Sequence, residues 1–532
     1  MTNIWRKDIT GLRALAVVPV LIFHAFPDLL PGGFYGVDIF FVISGYLISG
    51  IIFRGLASDK FSFVVFYSRR IKRIVPNLIL VIAFVAVIGW FITTASEYVR
   101  IAANISHSAL FYQNITLMKD EDYFGVLAQN NPLLHIWSLS IEEQFYLLFP
   151  FVCFLIWKVG RRSVYGLGVF VLGITAASFV LMLLISDQNV RFYFPLSRFW
   201  ELGVGICIAY AEVFFKYNTK RYGQTLTNGL SVLGIFLVLL AFFLPTSWYA
   251  PPPGAFSLIP VIGGALLILS NANSWVNRTI LSWNWVVFIG LISYSLYLWH
   301  WPLLAYVRLF FAEPTDFLFL MALVFSFLIS VVAYRYVENP MRQLGSDKIG
   351  WCIVILLCFL LQFYFLGKVV RQEDGFPDRE VARALFFKDD WTYAGGLYKY
   401  RDLQDLLVTN PKELPSIVFI GDSHMQQYHS RIIDQAESKH LNVGFVTDGG
   451  CMMSLGITAL KEKCINANIN LSKELSNKQI RTLVITQKWG GYDESLLING
   501  LLAYGNLIDN FKRYDSSRKY LFYWIIHGMK VV

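Results

Sequence analysis

Charge is spread along this 532-residue chain in two regimes, and the break between them limits the folds open to it. Residues 1–367 hold 41 charged side chains, 11% of that segment, while residues 368–532 hold 40, or 24%. Soluble domains carry about 25%, so only the second part has the composition of a domain in water. The first part is a series of apolar stretches near the roughly 17–25 residues that cross a bilayer as a helix. They lie at 9–27, 36–53, 74–93, 141–157, 164–185, 192–211, 225–244, 256–270, 284–304, 317–334 and 349–367. The predicted fold class is therefore an α-helical polytopic membrane protein of about eleven transmembrane helices, followed by a water-exposed domain. No small-residue cleavage site follows the first stretch, which reads as a retained helix and not a signal peptide. An ordinary cytosolic enzyme is excluded.

The net charge of +9 is a matter of topology. With the N-terminus inside, the inside loops 1–8, 54–73, 158–162, 215–223, 272–283 and 335–348 carry 17 Lys and Arg, leaving out Arg335 at a span edge. The short outside loops carry four. That asymmetry places the N-terminus in the cytoplasm and the C-terminal domain on the far side. The segment after residue 367 balances 21 basic against 19 acidic groups, so no basic face for nucleic acid is expected. Cys153, Cys207, Cys352 and Cys358 fall inside spans; Cys451 and Cys464 fall in the exported part, where an oxidising compartment permits a disulfide. No Cys/His spacing suggests a metal.

Ionisable groups within spans cost about 2.5–3.5 kcal/mol each on insertion scales and usually face a bundle interior or a watery cavity. The first span sets Arg13 and His24 eleven residues apart, about three turns or roughly 16 Å on one helix face. The second carries Asp38, read as a cap or an orienting group, with Ser44 and Gly45 further in. The fourth brings His135, Glu142, Glu143 and Tyr146 to the bundle. Adjacent carboxylates diverge by about 100° on a helix, so one faces a cavity and the other does not; the spacing leaves open which. Arg198 and Glu201, three apart, are expected to neutralise each other. The ninth span adds Tyr294, Tyr297, Trp299, His300 and Trp301, with both tryptophans expected in an interfacial belt.

Six segments in fixed order carry a resemblance: DITGLRALAVVPVLIFH, GGFYGVDIFFVISGYLI, FYSRRIKRIVP, NPLLHIWSLSIEEQFYLLFP, SYSLYLWHWP and YRYVENPMR. Together they resemble the acyltransferase family 3 of bacterial inner-membrane O-acyltransferases. The part after the eleventh helix resembles the SGNH-hydrolase-like α/β domain that some members carry. The resemblance implies an acyltransferase 3 membrane domain over 1–348, an additional helix at 349–367, a periplasmic linker over 368–414 and an SGNH-like domain over 415–532. It implies acetyl-CoA as the donor co-substrate, with Arg69, Arg70 and Arg73 on its phosphates. The implied acceptor is a surface glycan or lipid-linked polysaccharide such as lipopolysaccharide O-antigen. His24 matches the family's histidine and would act as a general base on the acceptor hydroxyl or transiently take the acetyl group. Arg13 would orient the donor or steady a developing oxyanion, and Glu142 or Glu143 would orient the histidine or bind acceptor.

Within the tail, PSIVFIGDSHMQQYHS reads as a buried strand, a tight turn and a helix. The turn places Asp422 and Ser423 where a nucleophile stands above strand ends. By resemblance Ser423 is the nucleophile and Gly449 or Gly450 a further oxyanion donor. The later block offers Trp489 and Gln487 where the family usually has Asn. No Asp-x-x-His pair follows Ser423, and neither His424 nor His527 substitutes for it, so the SGNH-like domain is expected to be truncated. Two other readings remain open on the sequence: a transporter or flippase whose pathway the intramembrane charges line, and an inactive remnant.

Overall fold

The computed structural model describes residues 5–120, 129–215, 223–244, 253–311, 314–345, 349–384, 398–400, 403–410, 413, 415–421, 425, 429–447, 480–488 and 519–525. The chain divides into two compact units, Met1–Pro377 and Asp378–Val532.

The first unit is helical. Its principal helices are α1 Lys7–Ala25, α2 Gly36–Ala57, α3 Phe63–Ile92, α4 Ala95–Ala109, α5 Ile136–Val159, α6 Val164–Leu184 and α7 Pro195–Phe214. They continue as α8 Gln224–Phe243, α9 Leu258–Leu269, α10 Asn284–Phe310, α11 Asp316–Ala333 and α12 Ile349–Gln372. Among the described residues nine helices are long and apolar enough to cross a membrane. The eleven expected stretches are all helical, but two fall outside that set. The helix at 256–270 is short, and α7 carries Arg198, Glu201 and Glu212.

Two boundaries differ from expectation for physical reasons. The basic segment 54–73 is not all loop. Ser62 accepts a hydrogen bond from the Val65 amide and caps α3, so Arg69, Arg70, Lys72 and Arg73 ride on its first three turns. The fourth span starts five residues early, at Ile136, with His135 at its N-cap. The polar LHIWSLSIEE run lowers hydropathy there without breaking the helix.

Helices without water between them associate through close packing of small residues. A Cβ on Gly45 of α2 would lie 2.0 Å from the Leu202 carbonyl oxygen of α7, and one on Gly205 of α7 would lie 2.1 Å from that of Val42. Beside this contact α1 packs against both α2 and α10, which brings the first and ninth spans of the sequence together. Helix α12 lies along α4, where Ser106 donates to the Tyr364 carbonyl at 3.0 Å. After α11 the backbone widens into a π turn at Tyr334–Glu338 before the short helix Asn339–Gln343.

The second unit contains a six-stranded sheet in the order β1-β2-β4-β3-β5-β6. The strands are β1 Tyr398–Tyr400, β2 Leu403–Val408, β3 Ile417–Gly421, β4 Val443–Thr447, β5 Thr482–Lys488 and β6 Lys519–Ile525. Strands β4, β3, β5 and β6 are parallel, whereas β1 and β2 join antiparallel. The stretch 368–414, expected as a linker, thus contributes two strands: residues 403–408 alternate too weakly in hydropathy to show it. Helix α13, His429–Ser438, covers β4, with Ile433, Ala436, Val443 and Phe445 buried together.

Candidate active site

Two cavities meet at the start of α3. The outer one, about 530 Å³, is lined by Lys60, Arg69, Arg70, Lys72, Arg73 and Arg342 among apolar neighbours such as Phe61 and Phe66. The inner one, about 90 Å³, is lined by Arg13, Ser44, Arg70, Arg73, Ser138, Glu142, Tyr146, Ser293, Tyr294 and Tyr297 with Val37, Phe40, Phe41 and Leu47. Arg70 and Arg73 belong to both walls. The outer volume falls within the roughly 300–1,000 Å³ of small-molecule sites. The inner one has room for only a few waters.

The inner wall is a hydrogen-bonded frame. Ser44 donates to Glu142 Oε1 at 2.9 Å and Tyr146 to Oε2 at 3.1 Å. The Arg70 guanidinium lies 4.9 Å from the centre of the Tyr146 ring. Tyr294 donates to the Ile74 carbonyl at 2.7 Å. Tyr297 donates to the His135 carbonyl at 2.9 Å and meets the Ser138 hydroxyl at 2.6 Å. Of the two carboxylates that the sequence left undecided, Glu142 lines the inner cavity and Glu143 lines neither.

His24 lies beyond the Tyr297 wall, in neither cavity lining. It is buried with His300, its ring 5.1 Å from that of His300 and 4.6 Å from that of Trp301. The Arg308 guanidinium donates to the His24 carbonyl. His135 completes the group, 5.7 Å from His300 ring to ring. The structure therefore separates the first-span pair: Arg13 meets Arg70, Arg73 and Glu142 at the cavity, and His24 joins α10.

Both tryptophans depart from the expected interfacial belt. Trp299 and Trp301 are buried. Trp299 donates to Asn77 at 3.2 Å, and Trp301 to the Asn131 carbonyl at 2.7 Å. Two positions apart, they point to nearly opposite sides of α10, which is enclosed by protein at this level. Hydropathy cannot tell protein from lipid around an apolar helix. Asn77 continues to Ser295 at 2.6 Å, and Ser295 to Glu338 at 2.9 Å, with Arg342 3.7 Å from Glu338. Neither Asn77, Ser295 nor Glu338 stood out in the sequence. The polar Asn in an otherwise apolar span after Pro76, within IVPNLIL, was the available signal for Asn77.

A second charged group sits elsewhere in the bundle. Arg198 reaches Asp38 at 2.7 Å and Glu201 at 3.0 Å, all three buried, with the guanidinium near the rings of Phe41, Trp137 and Phe192. The expected Arg198–Glu201 pairing is present, and Asp38 orients Arg198.

In the second unit, β3 lies between β4 and β5, so the connections leave it towards opposite sides of the sheet. Ligands of open α/β sheets bind beyond the carboxyl ends of strands at such a switch point, and β3 ends at Gly421, the first residue of the GDSH sequence. Asp422, Ser423, Gly449, Gly450, Trp489, Cys451 and Cys464 lie outside the described residues. His429 on α13 packs its ring 4.2 Å from that of Phe445, and burial pushes its imidazole down to about 4.

A bundle with this many apolar helices, joined to a mainly parallel α/β unit, is a multi-pass membrane protein with a domain of water-exposed composition. Residues 6–335 match the acyltransferase domain family, and residues 392–521 match the SGNH domain found fused to such domains. The chain belongs to this acyltransferase family and carries its fused SGNH domain. The O-acetyltransferase OatA of Staphylococcus aureus strain NCTC 8325 is 31% identical over 348 residues, covering 63% of this chain and 57% of OatA. A protein of strain MSSA476, assigned by name to the O-acetyltransferases, is 30% identical over 368 residues, covering 65% of this chain and 59% of its own. The chain thus spans less than two thirds of the length of these relatives. No solved structure matches it.

Proposed function

We propose that this protein is a membrane O-acetyltransferase that takes acetyl groups from acetyl-CoA on the cytoplasmic side and delivers them to hydroxyls of a surface glycan. One observation carries the reading: a strongly cationic outer cavity shares Arg70 and Arg73 with a small chamber in which Arg13, Glu142 and three tyrosines stand among apolar side chains. A nucleotide donor with several phosphates and one thin acyl-bearing arm suits that pair of volumes. Arg groups are well matched to phosphates because their planar forks donate bidentate hydrogen bonds. In this reading Arg69, Arg70 and Arg73 hold the phosphates, while Arg13 orients the acyl-bearing arm as it passes through the chamber towards His24 and Glu142 fixes the chamber wall. The relatives' names add support for O-acetyl transfer without specifying an acceptor. The acceptor is therefore proposed as a surface polysaccharide, with lipopolysaccharide O-antigen as its narrower form, and the location as the bacterial inner membrane.

At the reacting centre, the acceptor oxygen forms a bond to the acetyl carbonyl carbon as its proton passes to His24. The C–S bond then breaks and the thiolate leaves with the electron pair, to be reprotonated by the histidine. Ser423 is proposed as a relay nucleophile in the SGNH domain. The test is NMR of surface polysaccharide from a deletion strain complemented with wild type, His24→Ala or Ser423→Ala. Restoration of O-acetyl signals by wild type, and their loss with His24→Ala, is the expected result. Retention with Ser423→Ala assigns transfer to the membrane unit alone; loss assigns the serine a step. If wild type restores no O-acetyl signal, the transferase reading falls and transport becomes the better account.

A further inference from the structure

The histidine pair contains more information than its proximity. His300 Nδ1 lies 2.7 Å from the Tyr297 carbonyl oxygen and 3.2 Å from that of Leu296, while its Nε2 lies 2.8 Å from Nδ1 of His24. The two rings are parallel to within 2° with centres 5.1 Å apart. That separation is what two imidazoles give when joined nitrogen to nitrogen in a common plane, so the contact is an in-plane hydrogen bond and not a face-to-face stack.

A carbonyl oxygen can only accept, so the hydrogen of His300 resides on Nδ1. A neutral imidazole has one N–H and one acceptor nitrogen, which makes His300 Nε2 the acceptor. The bond to His24 then requires a hydrogen on His24 Nδ1. The lone pair of His24 is left on Nε2, the reverse of the arrangement an imidazole favours in water. Arg308 donates to the His24 backbone carbonyl, Trp301 donates to Asn131, and His135 Nε2 faces the Leu298 carbonyl at 3.1 Å. A carboxylate does this work in the Ser-His-Asp arrangement, fixing the tautomer of the histidine that moves the proton. Here a second histidine, itself fixed by the backbone of α10, takes that position without adding a buried charge.

We propose that His300 is a positioning residue that holds His24 in the Nδ1–H tautomer, so that Nε2 is the atom that accepts the proton of the acceptor hydroxyl. The inference rests on the role proposed above for His24, but its first test does not depend on activity. The full chain, labelled with 15N-histidine and held in lipid nanodiscs, is compared by NMR with His24→Gln to assign the His24 signals. The expected spectrum shows a protonated Nδ1 and an unprotonated Nε2 at His24. In His300→Phe the hydrogen is expected to move to Nε2 or to divide between the nitrogens. A wild-type His24 protonated on Nε2, or a tautomer unchanged in His300→Phe, overturns the proposal.

The second test follows CoA thiol release from acetyl-CoA in the presence of the host's de-O-acetylated surface polysaccharide. His300→Phe is expected to lower kcat by about 100-fold or more, the lower end of what a placed general base contributes, with little change in KM for acetyl-CoA. His300→Gln, whose amide oxygen can accept from His24 Nδ1–H, is expected to recover much of that loss. A parallel rise in KM, or equal loss in Phe and Gln variants, would indicate a packing role and overturn the proposal. Full activity of His24→Ala would instead sink the role of His24 in the proposed function, while the tautomer measurement would still decide what His300 does.

Discussion

The bundle holds two groups of charged side chains that share a composition and differ in their use. Around Arg198, one cation is enclosed by Asp38, Glu201 and three aromatic rings. Around Arg13, three arginines and one glutamate line a space instead of one another. In the first group each charge answers another; in the second, Glu142 is bonded to Ser44 and Tyr146. A buried cation enclosed by carboxylates is a fastener, whereas cations that share a cavity wall can meet an anion from outside. In an unfamiliar membrane protein, charge within a span signals a ligand path only when a cavity separates it from its complement.

The sharpest way to break this comparison is to remove one member of the enclosed group. Arg198→Ala leaves two carboxylates facing each other in the bundle and should cost about 3–5 kcal/mol, read as loss of folded, extractable protein. Replacing Asp38, Arg198 and Glu201 together with apolar residues should recover much of that yield; failure to do so would mean the group does more than fasten. At the cavity the pattern should invert. Arg70→Ala or Arg73→Ala should leave folded yield intact and raise KM for acetyl-CoA by roughly 10- to 100-fold, the equivalent of one charge-assisted hydrogen bond of about 1.5–3 kcal/mol. If instead the protein unfolds, these arginines are fasteners too.

The second unit supplies a buried group of another kind. His429 titrates near 4 when folded and near 6.5 when unfolded. The unfolded chain therefore takes up the proton first as pH falls. The stability of this unit should be full above about pH 6.5 and decline towards pH 4, by at most on the order of 2 kcal/mol at pH 5. Thermal melts at about pH 7.5 and pH 5, with His429→Phe as the insensitive comparison, test it. The smallest effect is expected from Ser44→Ala, which removes one hydrogen bond to Glu142 worth about 1 kcal/mol. Activity should fall several-fold, with folded yield unchanged.

What the sequence disclosed and what it hid follow from the range of the forces involved. Hydropathy is local, so the apolar helices of spanning length were legible, unlike the more polar α4, and so was the cation cluster at 69–73. Whether those cations lay on a loop or a helix depended on the Ser62 cap. The Arg13–His24 spacing correctly set both on one face of α1, but it could not show that the face crosses from a cavity to α10. That depends on a contact between residues 276 positions apart. Trp299 and Trp301 were misplaced for the same reason: an aromatic near a span end reads alike whether its neighbour is lipid or helix. In the second unit, parallel pairing is non-local and the strands at 398–408 are short, so the sheet's antiparallel edge escaped notice.

The π turn at Tyr334–Glu338 carries a consequence for reading frame along the helix. A π turn holds one more residue than the α-helix allows in the same length. At its end stands Glu338, which is buried against Ser295, and beyond it Arg342, which lines the outer cavity. Five residues in a π turn rotate the chain by about as much as four in an α-helix, so deleting one residue from 334–337 would let the backbone relax to a plain α-helix with everything downstream near its present phase. Glu338 and Arg342 would keep their targets, whereas one residue removed from a helix without such a turn swings all that follows by about 100°. The spare residue works as slack, and a one-residue deletion is a milder change here than in a plain α-helix.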